Sequence, residues 1–234
     1  MLAACGCEGL SAAIREDADR FLFETERHGA GGWPSKVRIA ILCPGLWAML
    51  TYRITHHALT AVRPRTLGHI LGLFLQVFQR FIVAVTGIDI DPRAHIGPGL
   101  LIPHGGFIVI GPVRIGRHCT IFQGTTFGLS TTEENTSKWE TPVLGDRVWV
   151  GPGAVLAGGI HIGSDAALSA NSLVVRDVPP RAVVVGVPAR IVSRAGSFTQ
   201  VAYRGMDDDR ERQAARAEDV AETENPQAGH PMAG

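Results

Sequence analysis

Two hydrophobic rhythms divide the chain. Up to about residue 86, apolar residues recur three and four apart, the spacing of helices that each bury one face. Ser11 stands where an N-cap belongs, ahead of AAIREDADRFLFETE. Pro44 opens the run PGLWAMLTYRITHHALTAV near a first-turn position, and a third apolar run starts at Leu67 after the breaker Pro64. These two runs are unusually apolar for so small a helical region. That predicts that part of their surface meets another subunit.

From Ile90 the period becomes six. Leu144, Val150, Leu156, Ile162, Leu168 and Val174 are aliphatic at strict six-residue steps, and small or apolar residues hold the positions one and four later. Ile90, Ile96, Ile102 and Ile108 follow the same rule, as do Ile115, Ile121 and Phe127 after one seven-residue slip. No amphipathic helix repeats every six residues, and a hairpin sheet would alternate between turns. The pattern predicts a coil with three short flat faces, one inward aliphatic per face, stacked turn upon turn. Each rung contributes roughly 1.5 to 3 kcal/mol, so the rungs form the main core. Parallel βαβ units are excluded because no helices separate the strands. The fold class is α+β: helices over 1–86, a repeat domain over 87–194, and a polar tail over 195–234, too charged and too poor in aromatics to form a core. A short helix around DDRERQAARAEDVAE is the alternative for the tail, through charge pairs four apart. LSTTEENTSKWETP (129–142) carries no rung and must loop out, offering Lys138, Trp139 and Glu140 as binding groups.

Charge and cysteine content narrow the partners. Lysine plus arginine equals aspartate plus glutamate at 22 each, so nothing calls for nucleic acid or acidic lipid as an obligatory partner. Four cysteines form no disulfide framework, and Cys5 and Cys7 have no second pair to complete a metal site, which fits a reducing, cytoplasmic protein. LAAC near the start resembles a lipoprotein cleavage box, but with no charged or apolar region before it the match is expected to be accidental. The run 67–87 is interrupted by His69, Gln76, Gln79 and Arg80, so it reads as a buried or interface helix and not as a membrane span.

Several histidines are candidates for chemistry. In GLLIPHGGFIVIG, His104 interrupts an aliphatic run, and from residues alone it reads as a packing or surface group more readily than as a base. His56 and His57 are adjacent on a helix, so one packs and one is exposed; His95, His118 and His161 fall on coil steps as solvated single groups. Cys119 sits at an inward or corner position and reads as core. No histidine pair is spaced to share zinc.

TGIDIDPRAHIGPGLLIPHG, the step IFQGTTFG and the closing DVPPRAVVVGVPARIV resemble the serine O-acetyltransferases, and the similarity runs from about Leu46 to Val192. The resemblance implies a left-handed parallel β-helix, contrary to the usual crossover hand. It also implies assembly as homotrimers or dimers of trimers with sites between neighbouring coils, and acetyl-CoA as donor with no metal. The family's catalytic dyad falls on Asp89 and His104. A neutral imidazole suits removal of a hydroxyl proton as the thioester is attacked, and a carboxylate on its other nitrogen fixes the tautomer. Gly105 and Gly106 are candidate oxyanion donors. Gly128 and Ser130 match the family's coenzyme turn in part, with Leu129 in place of a glycine; Pro152 and Ala170 fall where small residues meet the pantetheine arm, and Arg176 and Arg190 are candidates for the phosphates or plain solvated charges.

The acceptor positions depart from the family. Pro103 stands where it has an aspartate, and Glu140 and Thr141 replace its arginine–histidine pair before Pro142. Both the cation for a carboxylate and the anion for an ammonium are thereby lost. The expectation is a hydroxyl acceptor other than free serine. Two alternatives stay open: serine held by Lys138, Trp139 or Glu140 in a shifted loop, and a non-catalytic trimeric scaffold. The family's C-terminal isoleucine is absent from HPMAG, so no complex with the next enzyme of cysteine synthesis is expected.

Overall fold

The computed structural model describes residues 9–29, 32, 37, 41–129 and 140–224, the last six by backbone alone. Before the coil it describes α1 (Leu10–Arg27), α2 (Pro44–Thr60) and α3 (Arg65–Thr86) along their whole length. Ser11 is not the cap: α1 starts from Gly9, whose carbonyl accepts the Ala12 and Ala13 N–H groups, and Ser11 lies inside the first turn. Pro44 does open α2. Gly87 ends α3 at φ 68°, left-handed backbone that glycine adopts without a Cβ clash.

The coil is built as the six-residue period predicts. Face A stacks β1 (Ile88–Ile90), β3 (Ile108–Ile110), β6 (Thr126–Gly128), β9 (Val155–Ala157) and β12 (Leu173–Val174). Face B stacks β2 (His95–Ile96), β4 (Arg114–Ile115), β7 (Val143–Leu144) and β10 (His161–Ile162). Face C stacks β5 (Thr120–Ile121), β8 (Trp149–Val150), β11 (Ala167–Leu168) and β13 (Val183–Val185). Every pairing is parallel except the last, where β14 (Arg190–Ser193) turns back on β13. All the aliphatic rungs read from the sequence are buried, none more than 4% exposed.

One rung is misplaced by simple counting. Ile90 pairs with Ile110, and Ile110 with Phe127, so Ile110 and not Ile108 continues the face A stack. Ile108 lies inward too, paired with Ile88 at the mouth of the coil. The step from Ile102 is therefore eight residues instead of six, and the next, to Ile115, is five. The extra residues are absorbed in the turn Pro103–Gly106, which the aliphatic count does not register.

The three corners have different fates. At the B–C corner one residue per turn is left-handed: Gly99, His118, Arg147, Asp165 and Arg181 at φ 78°, 54°, 57°, 60° and 62°. That corner is covered. Asp17 of α1 accepts from the Gly99 and Leu100 N–H groups at 2.9 and 3.2 Å and pairs with Arg53 of α2 at 2.9 Å. Arg53 in turn donates to the Ile96 and Gly97 carbonyls, so one buried ion pair joins two helices to the coil.

The tail covers the same corner, which corrects the expectation of mobile chain from 195. Ser197, Val201 and Tyr203 are buried, and α4 (Arg210–Glu224) follows, as the alternative reading of the charge pairs allows. Arg147, held by Asp165 at 2.8 Å, also reaches Asp209 at 3.4 Å, while Tyr203 stacks on His118 with ring centroids 3.8 Å apart. The tail's low apolar content is offset by these charge pairs, a compensation invisible to composition.

His118 is consequently not the solvated group expected. Burial, helped by the Arg20 and Arg117 charges, pushes its pKa from 6.5 down to about 3. Glu16 approaches Nε2 at 3.2 Å but also holds Arg117, and the Asp209 charge offsets burial only in part. With the folded pKa below the unfolded one, the unfolded chain takes the proton first: stability is complete above 6.5 and declines as pH falls from there toward 3. Between pH 7 and 5 this one group is expected to cost about 2 kcal/mol. Urea titrations at both values check it, since His118→Gln should lose that part of the slope.

Of the two readings of α3, buried or interface helix, the first does not hold within one chain. The helix meets α2 through Gly68 and Gly72, where a Cβ would come within 2.6 Å of the Ala58 carbonyl and 2.4 Å of Leu59. The opposite face, with Leu73, Phe74 and Val77 each more than 60% exposed, is not buried. By length and composition alone α3 also passes as a membrane-crossing helix, despite its interrupting polar residues.

Candidate functional site

The C–A corner carries His104. Its turn lies against the end of α3 and the start of β1: the Gly106 N–H donates to the Thr86 carbonyl and the Ile108 N–H to the Gly87 carbonyl, each at 2.9 Å. Gly87 and Gly105 are required there, since a Cβ would come within 2.9 Å of Gly106 Cα and 2.6 Å of the Thr86 carbonyl respectively. His104 itself is exposed, with its ring centroid 6.1 Å from that of Phe122. Phe122 stands 5.5 Å from Trp149 on the following turn, so an aromatic row that the sequence reading missed descends from His104. Its signal is Phe122 just after the rung Ile121 in IFQGTT and Trp149 just before the rung Val150 in DRVWVG.

Successive turns of this corner are locked by backbone bonds, Gly124 N–H to the Gly106 carbonyl, Gly153 N–H to Gln123 and Asn171 N–H to Pro152. Pro152 and Ala170 thus share the corner with His104. Gly106 cannot serve as an oxyanion donor while its N–H holds Thr86, which leaves Gly105.

Asp89 is the outward residue of β1, opposite Val109, two residues beyond Gly87. Its carboxylate accepts from Arg80 of α3 at 3.2 Å, and among the described residues no hydrogen bond joins it to His104. It lines a cavity of about 540 Å³ with Arg80, Gln76 and Arg93 between α3 and face A. An exposed pair such as Arg80–Asp89, with side chains 75% and 37% exposed, is worth only about 0–1 kcal/mol and is readily exchanged.

The remaining candidates fall elsewhere. Gly128 ends β6 opposite Ala157, with open space around its α-carbon. Arg176 and Arg190 share a cavity of about 380 Å³ at the far end of the coil, both exposed. Thr141 donates to the Pro112 carbonyl at 3.0 Å, and Glu140 lies over Gly159, where a Cβ would meet its Oε2 at 2.5 Å; both therefore sit at the A–B corner. Within one chain they lie across face A from Pro103 and His104. Ser130, Lys138 and Trp139 lie outside the described residues. Cys119 is fully buried, its thiol pushed up to about 12 by burial, and is core as read. His57 is exposed while His56 is half-buried on the Pro92 carbonyl at 2.8 Å. Among the described residues no cluster of three metal-ligating side chains occurs.

Comparison with known proteins agrees with this geometry. The model of the bacterial transferase hexapeptide family (six repeats) matches residues 141–176. The chain is 35% identical over 181 residues to a serine acetyltransferase of Synechococcus elongatus, covering 76% of this chain and 67% of that one. It is 37% identical over 164 residues to the Helicobacter pylori serine acetyltransferase, covering 68% of this chain and 88% of that one. Among solved structures, Neisseria gonorrhoeae serine acetyltransferase in complex with serine aligns with a TM-score of 0.62 at 32% identity, over 79% of this chain and 69% of that chain. The Brucella abortus enzyme in complex with coenzyme A aligns at 0.64 with 26% identity, over 78% and 67%. The coil is thus the left-handed β-helix of hexapeptide repeats, and the chain belongs to the serine acetyltransferase family, as an acyltransferase with acetyl-CoA as its donor.

Proposed function

We propose that the acceptor is L-serine, acetylated on its hydroxyl at the His104 corner. The observation that carries this is the match along 88% of the Helicobacter pylori serine acetyltransferase. His104 takes the hydroxyl proton as the oxygen attacks the thioester carbonyl. The tetrahedral oxyanion then collapses, the C–S bond breaks, and the imidazolium returns its proton to the leaving thiolate. Asp89, released from Arg80, orients the imidazole and offsets its charge. Pro152, Ala170 and the distant Arg176 and Arg190 follow the coil downward from His104, about four strand spacings or roughly 19 Å, a span suited to a long donor arm.

The opposite placement of His104 and Glu140–Thr141 across face A supports a trimer, in which the A–B corner of one coil completes the site at the C–A corner of the next. A second reading has its own observation. Glu140 is an anion where serine's carboxylate needs a cation, and the Thr141 hydroxyl is already bonded to Pro112. That arrangement favours another hydroxyl compound.

Thiol release from acetyl-CoA with competing acceptors decides between them. L-serine is expected to exceed homoserine and simple sugars in kcat/KM by roughly tenfold or more. A sugar matching serine would establish the second reading, and no release with any acceptor would leave a scaffold.

A further inference from the structure

The helix α3 is amphipathic the wrong way round for a helix on a water-facing surface. Toward α2 and the coil it turns Gly68, Gly72, Gln79 and Thr86, with Ile82 the one large buried aliphatic. Outward it turns Ile70, Leu73, Phe74, Val77, Phe78 and Phe81, all between 49% and 71% exposed. Close contact through glycines with large apolar groups facing away is how helices pack where the surroundings are lipid. On α2, Trp47, Leu50 and Ile54 add to the exposed apolar surface.

Charge is distributed to match. Between Arg27 and Asp89 the sequence contains no aspartate or glutamate, yet it carries Lys36, Arg38, Arg53, Arg63, Arg65 and Arg80. Arg53 is answered by Asp17 and Arg80 by Asp89, whereas Arg63 and Arg65 flank the exposed start of α3 beside His69. Two copies of this patch set face to face about a two-fold axis would leave the arginines with no acid on either patch to answer them. An anionic lipid surface answers both features at once, through headgroups for the arginines and acyl chains for the apolar row.

We propose that the outward face of α3 docks in the plane of an anionic phospholipid bilayer. The helix lies along the surface and does not cross it. Its partner α2 is fixed to the coil by Tyr52 donating to the Ala94 carbonyl at 2.7 Å and His56 at the Pro92 carbonyl, and α3 by Gln79 donating to the Ile90 carbonyl. A single face is left for lipid.

Flotation of the full chain with vesicles tests this. Binding to phosphatidylcholine containing about one third phosphatidylglycerol should exceed binding to phosphatidylcholine alone by roughly tenfold, and Arg63→Glu/Arg65→Glu should erase that difference. The triple variant Leu73→Ser/Phe74→Ser/Phe78→Ser should lose binding by about tenfold or more, with its size in light scattering and its thiol release from acetyl-CoA unchanged. Absence of flotation by the parent chain overturns the proposal. So does a triple variant that still floats, or one that falls to a smaller oligomer, which would make this face a subunit contact.

Discussion

Replacing His104 by alanine is expected to lower kcat for acetyl transfer by about three orders of magnitude, the usual worth of a general base. The fold should not change. The side chain is exposed, its nearest ring is 6.1 Å away, and the turn is held by the Gly106 and Ile108 N–H groups, which the substitution leaves in place. Thermal unfolding and binding of coenzyme A should therefore match the parent protein while turnover is lost. A variant with near-parental turnover would remove His104 from the mechanism and leave the corner without a base. Asp89→Asn should be milder, because its partner in this state is Arg80 and the ring keeps its place without it.

The largest structural effect is expected at Arg53. Arg53→Ala should destabilise the protein by about 3–5 kcal/mol, since it leaves Asp17 buried with its charge unanswered. Asp17 is 2% exposed, and burial already pushes its carboxyl above the usual carboxylate range against the pull of Arg53 and two N–H groups. Removing the guanidinium also strips the Ile96 and Gly97 carbonyls of their donor. The midpoint of thermal unfolding should fall on the order of 10 °C. Arg53→Lys should recover part of that, as a charge without the two-pronged geometry. A fall of a degree or two in the alanine variant would show that α1 and α2 are held to the coil by apolar contact instead.

The coil was legible because burial on a three-faced prism leaves a strict trace: one inward aliphatic per face, from Ile90 to Val174. What escaped the pattern are contacts whose partners lie far apart in sequence. Nothing local announces that Asp17 will cap the backbone at Gly99 and Leu100, or that Asp209 will reach Arg147. The tail read as unable to fold because apolar content was the criterion, whereas its anchors are Tyr203, Arg212 and carboxylates on a charged corner. The family resemblance pointed to His104, Pro152 and Ala170, which stacking brings to one corner, but the aromatic row through Phe122 and Trp149 follows only once the turns are stacked. The hexapeptide count also hid where its own irregularity lies, because Ile108 and Ile110 are both inward and either satisfies an aliphatic rule.

That eight-residue step has a consequence for engineering the repeat. A designer regularising the solenoid would excise two residues between Ile102 and Ile110 so that every turn matched its neighbours. The edited chain would gain symmetry and a shorter hairpin of backbone, and it would draw the Pro103–Gly106 protrusion flush with the wall. The imidazole would then have no promontory from which to reach a molecule bound alongside. The base proposed for this protein stands where the architecture departs from its own period.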